Sequence, residues 1–395
     1  MLPSVTDRPP AGRYDVVIIG AGVQGLALAY ELARRGMTKV AVIDRSWPGS
    51  GASGRNGELI RSIFSSAQWS GLFEHSVRRW HQLSAELDYN ILFSPSGYMV
   101  LATTDEHWEA THHTYAFHQE RGMRSDLLDR DGVGRLIPAM NLDQVRGGEL
   151  QTDGGFAHHD AVVWAYLGAG ARLGVEVHGG LRVEDVLVAD GRVTGVKVDG
   201  QVISAGTVVN AAGGDAPSIN QMAGIDLPIL QTRLEILVTQ ALKPFMPCAV
   251  SSPGILGYAH QTARGEFVGG TELPYAHQTD SLVTTYEVLR DSATKWVRLF
   301  PLLAGARVIR HWAGSISQTD DLAPMLGELP ELSGYVLDCA WTYGFMGAPG
   351  AADLLAESIV TGKVPDLMAP FDPARVREGR LIKESSLVVM PEAAA

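Results

Sequence analysis

Residues 14–45 read YDVVIIGAGVQGLALAYELARRGMTKVAVIDR, and this stretch decides the fold. Tyr14 to Ile19 is a β-branched run suited to a fully buried parallel strand. Gly20, Gly22 and Gly25 complete G-x-G-x-x-G. The first allows the tight turn, the second lets backbone approach a pyrophosphate, and the third lets the following helix pack close to the strand. The helix predicted from about Val23 to Arg35 aims its N-terminal N–H groups, those of Val23 and Gln24 among them, at that pyrophosphate. Lys39 to Ile43 is a second strand. Asp44 ends it about 20 residues after the glycines, where a carboxylate accepts from ribose hydroxyls. Strand, glycine turn, helix, strand and acid in this order predict a dinucleotide-binding βαβ unit in an α/β protein.

Working outward, the 395-residue chain is long enough for two lobes. Its 46% hydrophobic and 19% charged content is that of an ordinary globular protein. The net charge of −12 comes with no basic run, which argues against a nucleic-acid partner. Cys248 and Cys339 lie far apart without metal-ligand spacing, so no metal site or disulfide framework is expected and a cytoplasmic location is the default. No stretch reaches the ~18 apolar residues of a membrane span. MLPSVTDRPPAGR reads as a short flexible lead.

Residues 69–92 and 105–122 have helical periodicity, with SPSGYMVLATT between them as a strand. Asp160 is the expected N-cap of a helix over AVVWAYLGAGARLG. Residues 175–213 alternate as strands with Asp-Gly turns at 190–191 and 199–200, and TVVNAAGG ends them as a buried strand running into small residues. Residues 231–275 read as antiparallel strands, and TYEVLRDSATKWVRLFPLL as a helix. GYVLDCAWTYGFMGAPGAADLLAESIVTG reads as strand, glycine loop and helix, with Pro349 near the first turn. The expected organisation is a discontinuous dinucleotide lobe (1–90, 150–228 and 312–380), a mixed-sheet substrate lobe inserted in two pieces (91–149 and 229–311), and a tail, 381–395.

Two features favour a flavin over a nicotinamide. Ser53-Gly54-Arg55-Asn56-Gly57 is a small polar loop soon after Asp44, able to supply backbone donors near a flavin's pyrophosphate and ring. Gly344-Phe345-Met346-Gly347 opens the C-terminal helix, whose positive end suits the anionic N1/C2=O side of a reduced flavin. With Arg45, Val183, Ala211, Ala212 and Gly213, these residues make up the expected cofactor contacts.

The segments Gly54-Arg55-Asn56 with Ile60-Arg61-Ser62, HHDAVVWAY, GRVTGVKV, GYAHQTARGEFVGG, RHWAG and TYGFMGAPG cover nearly the whole chain. In these it resembles the D-amino acid oxidase, glycine oxidase and sarcosine oxidase family, most of all the β subunit of heterotetrameric sarcosine oxidase. The resemblance implies an FAD lobe of the Rossmann-like, glutathione-reductase type and oxidation of a secondary or N-methyl amino acid to an imine. It also implies partner subunits. By the same likeness Arg61 holds the substrate carboxylate, a task that suits a bidentate guanidinium. Tyr258 matches a segment whose aromatic lines the substrate cavity in relatives, and His159 matches the position where the β subunit carries FMN at a subunit contact; Tyr343, just before the flavin loop, is placed to close the cavity from the other side. Two departures stand out. Neither cysteine matches the point near Arg310 and His311 where monomeric relatives tie FAD down, so FAD is expected to be non-covalent. Met346 stands where the sarcosine oxidase pattern has a lysine whose charge helps oxygen accept electrons, so an acceptor other than oxygen is expected. The alternatives are a standalone oxidase producing hydrogen peroxide and an FAD-bearing scaffold subunit without its own turnover.

Overall fold

A computed structural model describes residues 5–252, 255, 257–270 and 281–385. The helices among them are α1 (Val23–Arg34), α2 (Ala67–Glu86), α3 (Asp105–Glu120), α4 (Arg130–Leu136), α5 (His159–Arg172), α6 (Ala216–Met222), α7 (Tyr286–Leu299), α8 (Gly344–Thr361) and α9 (Ala374–Arg377). The β-branched segments around α1 form the middle of one sheet, ordered Val5–Thr6, Glu176–His178, Val40–Ile43, Arg13–Ile19, Gln201–Asn210, Arg192–Val198 and Val183–Ala189. Arg13–Ile19 runs parallel to both Val40–Ile43 and Gln201–Asn210. Tyr335–Cys339 adds in parallel to the far end of Gln201–Asn210, with Met325–Glu328 antiparallel outside it. Hydrophobic cores cover both faces, α1, α2, α5 and α8 lying on one of them. Two faces to bury is why these strands read as continuous apolar runs.

The second sheet is mixed, in the order Val308–Gln318, Leu230–Ala241, Glu266–Gly270, Gly257–Gln261, Ala249–Ser252, Tyr98–Ala102, Gly147–Gln151 and Ser125–Asp129. Its core packs Met99, Leu237, Phe267, Trp296 and Phe300. The two hairpins closing at Asp190-Gly191 and Asp199-Gly200 have positive φ at both turn residues, as type I′ turns require.

Several local expectations need revision. The N-terminal lead is not loose where it is described: Val5–Thr6 pairs with Val177–His178 as the edge of the first sheet. α2 stops at Glu86, because Asp88 at φ +50° and Leu92 at φ +55° break the helical path. Asp160 is not the N-cap of α5; His158 holds that position and Asp160 lies in the first turn, where its charge still suits the helix dipole. Pro349 is the sixth residue of α8, inside the helix. The expected lobe boundary at 311/312 falls within Val308–Gln318, which stays in the second sheet throughout. The expected tail is seated as far as 385, with Ile382 and Glu384 buried. The strand reading over 271–275 and the last ten residues lie outside the described residues.

Candidate functional site

A cavity of about 490 Å³ runs between the two sheets, from the ends of the first sheet's strands to the second sheet. Its position outside the carboxyl ends of parallel strands is where α/β proteins bind ligands. At one end the turn after Arg13–Ile19 brings Gly20 to φ +114°, and a Cβ there would lie 2.3 Å from Ala211 O. Gly22 lines the cavity at the start of α1, and Val23 N donates to Ser53 Oγ at 2.8 Å. Gly25 is turned away from the cavity. A Cβ there would meet Gly20 O at 2.1 Å, so its role is close helix–strand packing. Asp44 Oδ2 accepts from Ala21 N and Oδ1 from Ser46 N, both at 2.8 Å, which fixes the carboxylate at the cavity edge. Arg45 pairs with Asp215 at 2.8 Å, and both line the cavity with Val183, Ala211, Ala212 and Gly213.

In the polar loop, Ser53, Arg55, Asn56 and Gly57 reach the cavity. Gly54 does not; its N donates to Gly49 O, and a Cβ would clash with that oxygen at 2.5 Å. A Cβ on Gly57 would lie 2.4 Å from the Tyr258 ring, so glycine lets this tyrosine close over the loop. On the opposite wall Gln24 Nε2 donates to Gly344 O at 2.8 Å, tying the start of α1 to the start of α8. Gly344, Phe345 and Met346 line the cavity, whereas Gly347 sits where a Cβ would press into the Trp341 ring at 2.7 Å.

Arg61 is fully buried and stands behind the wall rather than in it. Its Nη1 donates to Ile63 O at 2.6 Å. Its guanidinium carbon lies 4.0 Å from the Phe64 ring centre, 5.5 Å from that of Tyr98 and 5.9 Å from that of Tyr343. Tyr98 and Tyr343 line the cavity with Tyr258. The Phe64 carbonyl beside this arginine accepts from His118, which is the one fully buried side chain of α3 and also pairs with Glu149 at 2.7 Å.

His159 opens α5 and lies outside the cavity lining, but touches it through Glu58. Its Nδ1 stands 2.6 Å from Glu58 Oε1 without hydrogen-bond alignment, while its backbone N donates to the same oxygen at 3.1 Å. His260 Nε2 is 3.6 Å from Glu58 Oε2. Burial raises the Glu58 carboxyl, but the two imidazoles outweigh burial and hold it well below the usual carboxylate range. Burial lowers His159, and Glu58 more than reverses this, leaving the imidazole raised. Glu58 adopts φ +63°, strained for a residue with a side chain. Neither Glu58 nor the lining residues Trp47, Asp338 and Trp341 stand out in the sequence. The turn-forming position of Glu58 after Asn56-Gly57 is the only local signal any of them carries.

The chain matches the FAD dependent oxidoreductase family over residues 15–358. It therefore belongs to that family, and it is an enzyme of the FAD-dependent oxidoreductase class. Among curated proteins it is similar to sarcosine oxidase subunit beta of Arthrobacter sp, with 35% identity covering 95% of this chain and 94% of the relative. Its similarity to the protein of that name in Rhodobacter capsulatus is 32% identity over 95% and 92%. Among solved structures, L-proline dehydrogenase from P. horikoshii superposes with a TM-score of 0.89 at 29% identity, covering 94% of this chain and 99% of that one. The resemblance read from the sequence is borne out at the level of family and fold.

The residues present fit FAD. Gly20 and Gly22 make a cradle without side chains beside the N-terminus of α1, suited to a pyrophosphate. Three buried polar atoms of the lining residues, Gln24 Oε1, Asp338 Oδ2 and Thr342 Oγ1, have no partner among the described residues, as expected where a polar ligand completes the wall. Cys248 and Cys339 are both buried, and burial pushes the Cys248 thiol up to about 12 and Cys339 higher still.

Proposed function

We propose that this chain oxidises a small secondary or N-methyl amino acid to an imine, as the FAD-bearing subunit of a hetero-oligomer, with an acceptor other than oxygen taking the electrons. The observation that carries this reading is the buried Arg61 against the rings of Tyr98 and Tyr343, which face the cavity. FAD held in this cavity would supply a two-electron acceptor for the hydride. From behind the rings of Tyr98 and Tyr343, Arg61 supplies the positive charge that draws the substrate carboxylate to this side of the cavity, which biases which carbon–hydrogen bond is presented. Tyr258 and Tyr343 close the cavity around the apolar part of the substrate. The ammonium of the incoming zwitterion loses its proton to solvent, favoured by burial near the arginine, so that the nitrogen lone pair drives hydride loss from the adjacent carbon. The imine formed hydrolyses in water. Support for the substrate class comes from the similarity to sarcosine oxidase subunit beta and L-proline dehydrogenase. The names of the curated relatives support a subunit role.

Met346 lies in the cavity wall, 6% exposed, and offers no cation to assist oxygen reduction. The proposal also places FMN on His159, whose ring is 19% exposed at the start of α5. A flavin-sized mass on the peptide containing His159 is the expected finding, and an unmodified peptide removes FMN from the scheme.

The test is anaerobic mixing of the purified holoprotein with N-methyl and cyclic amino acids. Bleaching of the oxidised flavin band is expected, and the absence of bleaching by every candidate rejects the substrate class. Arg61→Ala is expected to lower the rate of substrate reduction by about 100-fold or more while FAD content is unchanged. An unaltered rate would take Arg61 out of the site.

A further inference from the structure

The three unpartnered polar atoms in the cavity wall belong to one connected patch where Tyr335–Cys339 turns into α8. Gln24 bonds to Gly344 O, a Cβ on Gly344 would lie 2.9 Å from Trp341 Cβ, and Trp341 Nε1 donates to Asp338 Oδ1 at 2.7 Å. Leaving a buried polar atom without a partner is costly, so such atoms in a ligand cavity mark where the ligand bonds. Asp338 is 1% exposed, and no cation pairs with it among the described residues. An isolated carboxylate in such surroundings is unfavourable, and a neutral acid is the stable form. Because Oδ1 is taken up accepting from the indole, the proton belongs on Oδ2, which makes that atom a donor.

We propose that Asp338 is carried as a neutral acid whose Oδ2–H donates to an acceptor atom of bound FAD, so that FAD binding is coupled to one proton. The proposal rests on the cavity being the FAD site. Burial pushes the Asp338 carboxyl up to about 7 against the opposing Trp341 hydrogen bond. The surrounding groups are specific. On its own strand the neighbour is Cys339, with the Asp321–Arg375 pair, 2.9 Å apart, near that thiol. The strand Met325–Glu328 sets Leu326 in register with it, and α1 contributes the neutral Gln24. The charged side chains elsewhere in the cavity lining are Asp44, Arg45, Arg55, Glu58, Arg182 and Asp215. FAD bound to the acid form raises the acid's pKa further. Affinity is therefore full below pH 7 and falls as pH rises above it.

The experiment titrates FAD into the apoprotein between pH 6 and 8.5, following flavin absorbance and tryptophan fluorescence. Wild-type Kd is expected to rise above pH 7, approaching about tenfold per pH unit. In Asp338→Asn the amide nitrogen donates where the acid does and the amide oxygen still accepts from Trp341. Its Kd should stay near the wild-type low-pH value at every pH. Calorimetry of the unaltered protein at pH 7.5, in two buffers of different ionisation enthalpy, should show uptake of up to one proton per FAD bound. Equal pH slopes in wild type and Asp338→Asn, or no proton uptake by the wild type, would overturn the proposal. Failure of the wild type to bind FAD at any pH would instead reject the cofactor assignment of the cavity, and the proposal with it.

Discussion

Glu58 is the residue whose surroundings depart furthest from what its neighbours in sequence suggest. It lines the cavity at φ +63° with an imidazole on either side of its carboxylate. Its lowered pKa adds stability above the ordinary carboxylate value of 4.5, lost as pH falls through the lowered one. The raised pKa of His159 adds stability below 6.5, lost as pH rises through the raised one. The stability difference between wild type and Glu58→Gln should therefore be largest between about pH 4.5 and 6.5 and shrink on both sides, as read by thermal melts across pH. A difference constant with pH would mean that the two groups are not coupled. Met346 allows a second residue-scale prediction. Met346→Lys is expected to speed reoxidation of the reduced enzyme by air about tenfold or more, with matching peroxide formation, because a cation beside the cavity stabilises the first reduced oxygen species. Unchanged reoxidation would remove Met346 as the reason for an acceptor other than oxygen.

Among the elements, α8 shows how a sequence fault becomes a packing feature. Pro349 within the helix lacks the N–H that would bond to Phe345 O. One residue on, Ser76 of α2 enters the ladder, with Gly350 N donating to Ser76 Oγ at 3.3 Å and that hydroxyl donating to Met346 O at 2.6 Å. Trp80 Nε1 donates to the same carbonyl at 2.9 Å. Gly350 is required for this approach, since a Cβ would lie 2.9 Å from the Ser76 N, Cα and Cβ atoms. Ser76→Ala removes both of these bonds and should cost about 1–3 kcal/mol in urea unfolding. An unchanged urea midpoint would show that the inserted hydroxyl contributes nothing to stability.

At the largest scale, the segment from Arg375 to Glu384 ties together stretches of chain that are far apart in sequence. Asp321 accepts from Arg375 and from Ile382 N, and further on Glu384 accepts from Ser65 N at 2.8 Å and Ser66 N at 2.7 Å, with Ser65 Oγ also in contact. Residues 61–66 run from Arg61 to the N-cap of α2, so the segment around Glu384 is tied to the stretch that begins at the proposed substrate arginine. Glu384→Ala is expected to lower Tm and speed limited proteolysis within 61–66, because two backbone donors lose a charged acceptor. Equal Tm and equal proteolysis would show that the segment is only passively attached.

The dinucleotide unit, the buried parallel strands and the type I′ hairpins are all legible in the order of residues alone. Each follows from short-range rules: side-chain period, the φ a glycine permits and the charge at a helix end. Part of the cavity wall was legible in the same way, since Gly20, Gly22, Asp44, Asn56 and Gly344 sit where the chain direction is set locally. Tertiary structure decided what depends on distant segments meeting. Glu31 on α1 lies three and four residues before Arg34 and Arg35, a pairing visible in the sequence, yet only folding brings Arg79 of α2 to it at 2.6 Å. In the same way, whether Asp338 stays charged and what surrounds Arg61 depend on which apolar surfaces exclude water around them, and no run of neighbouring residues encodes that.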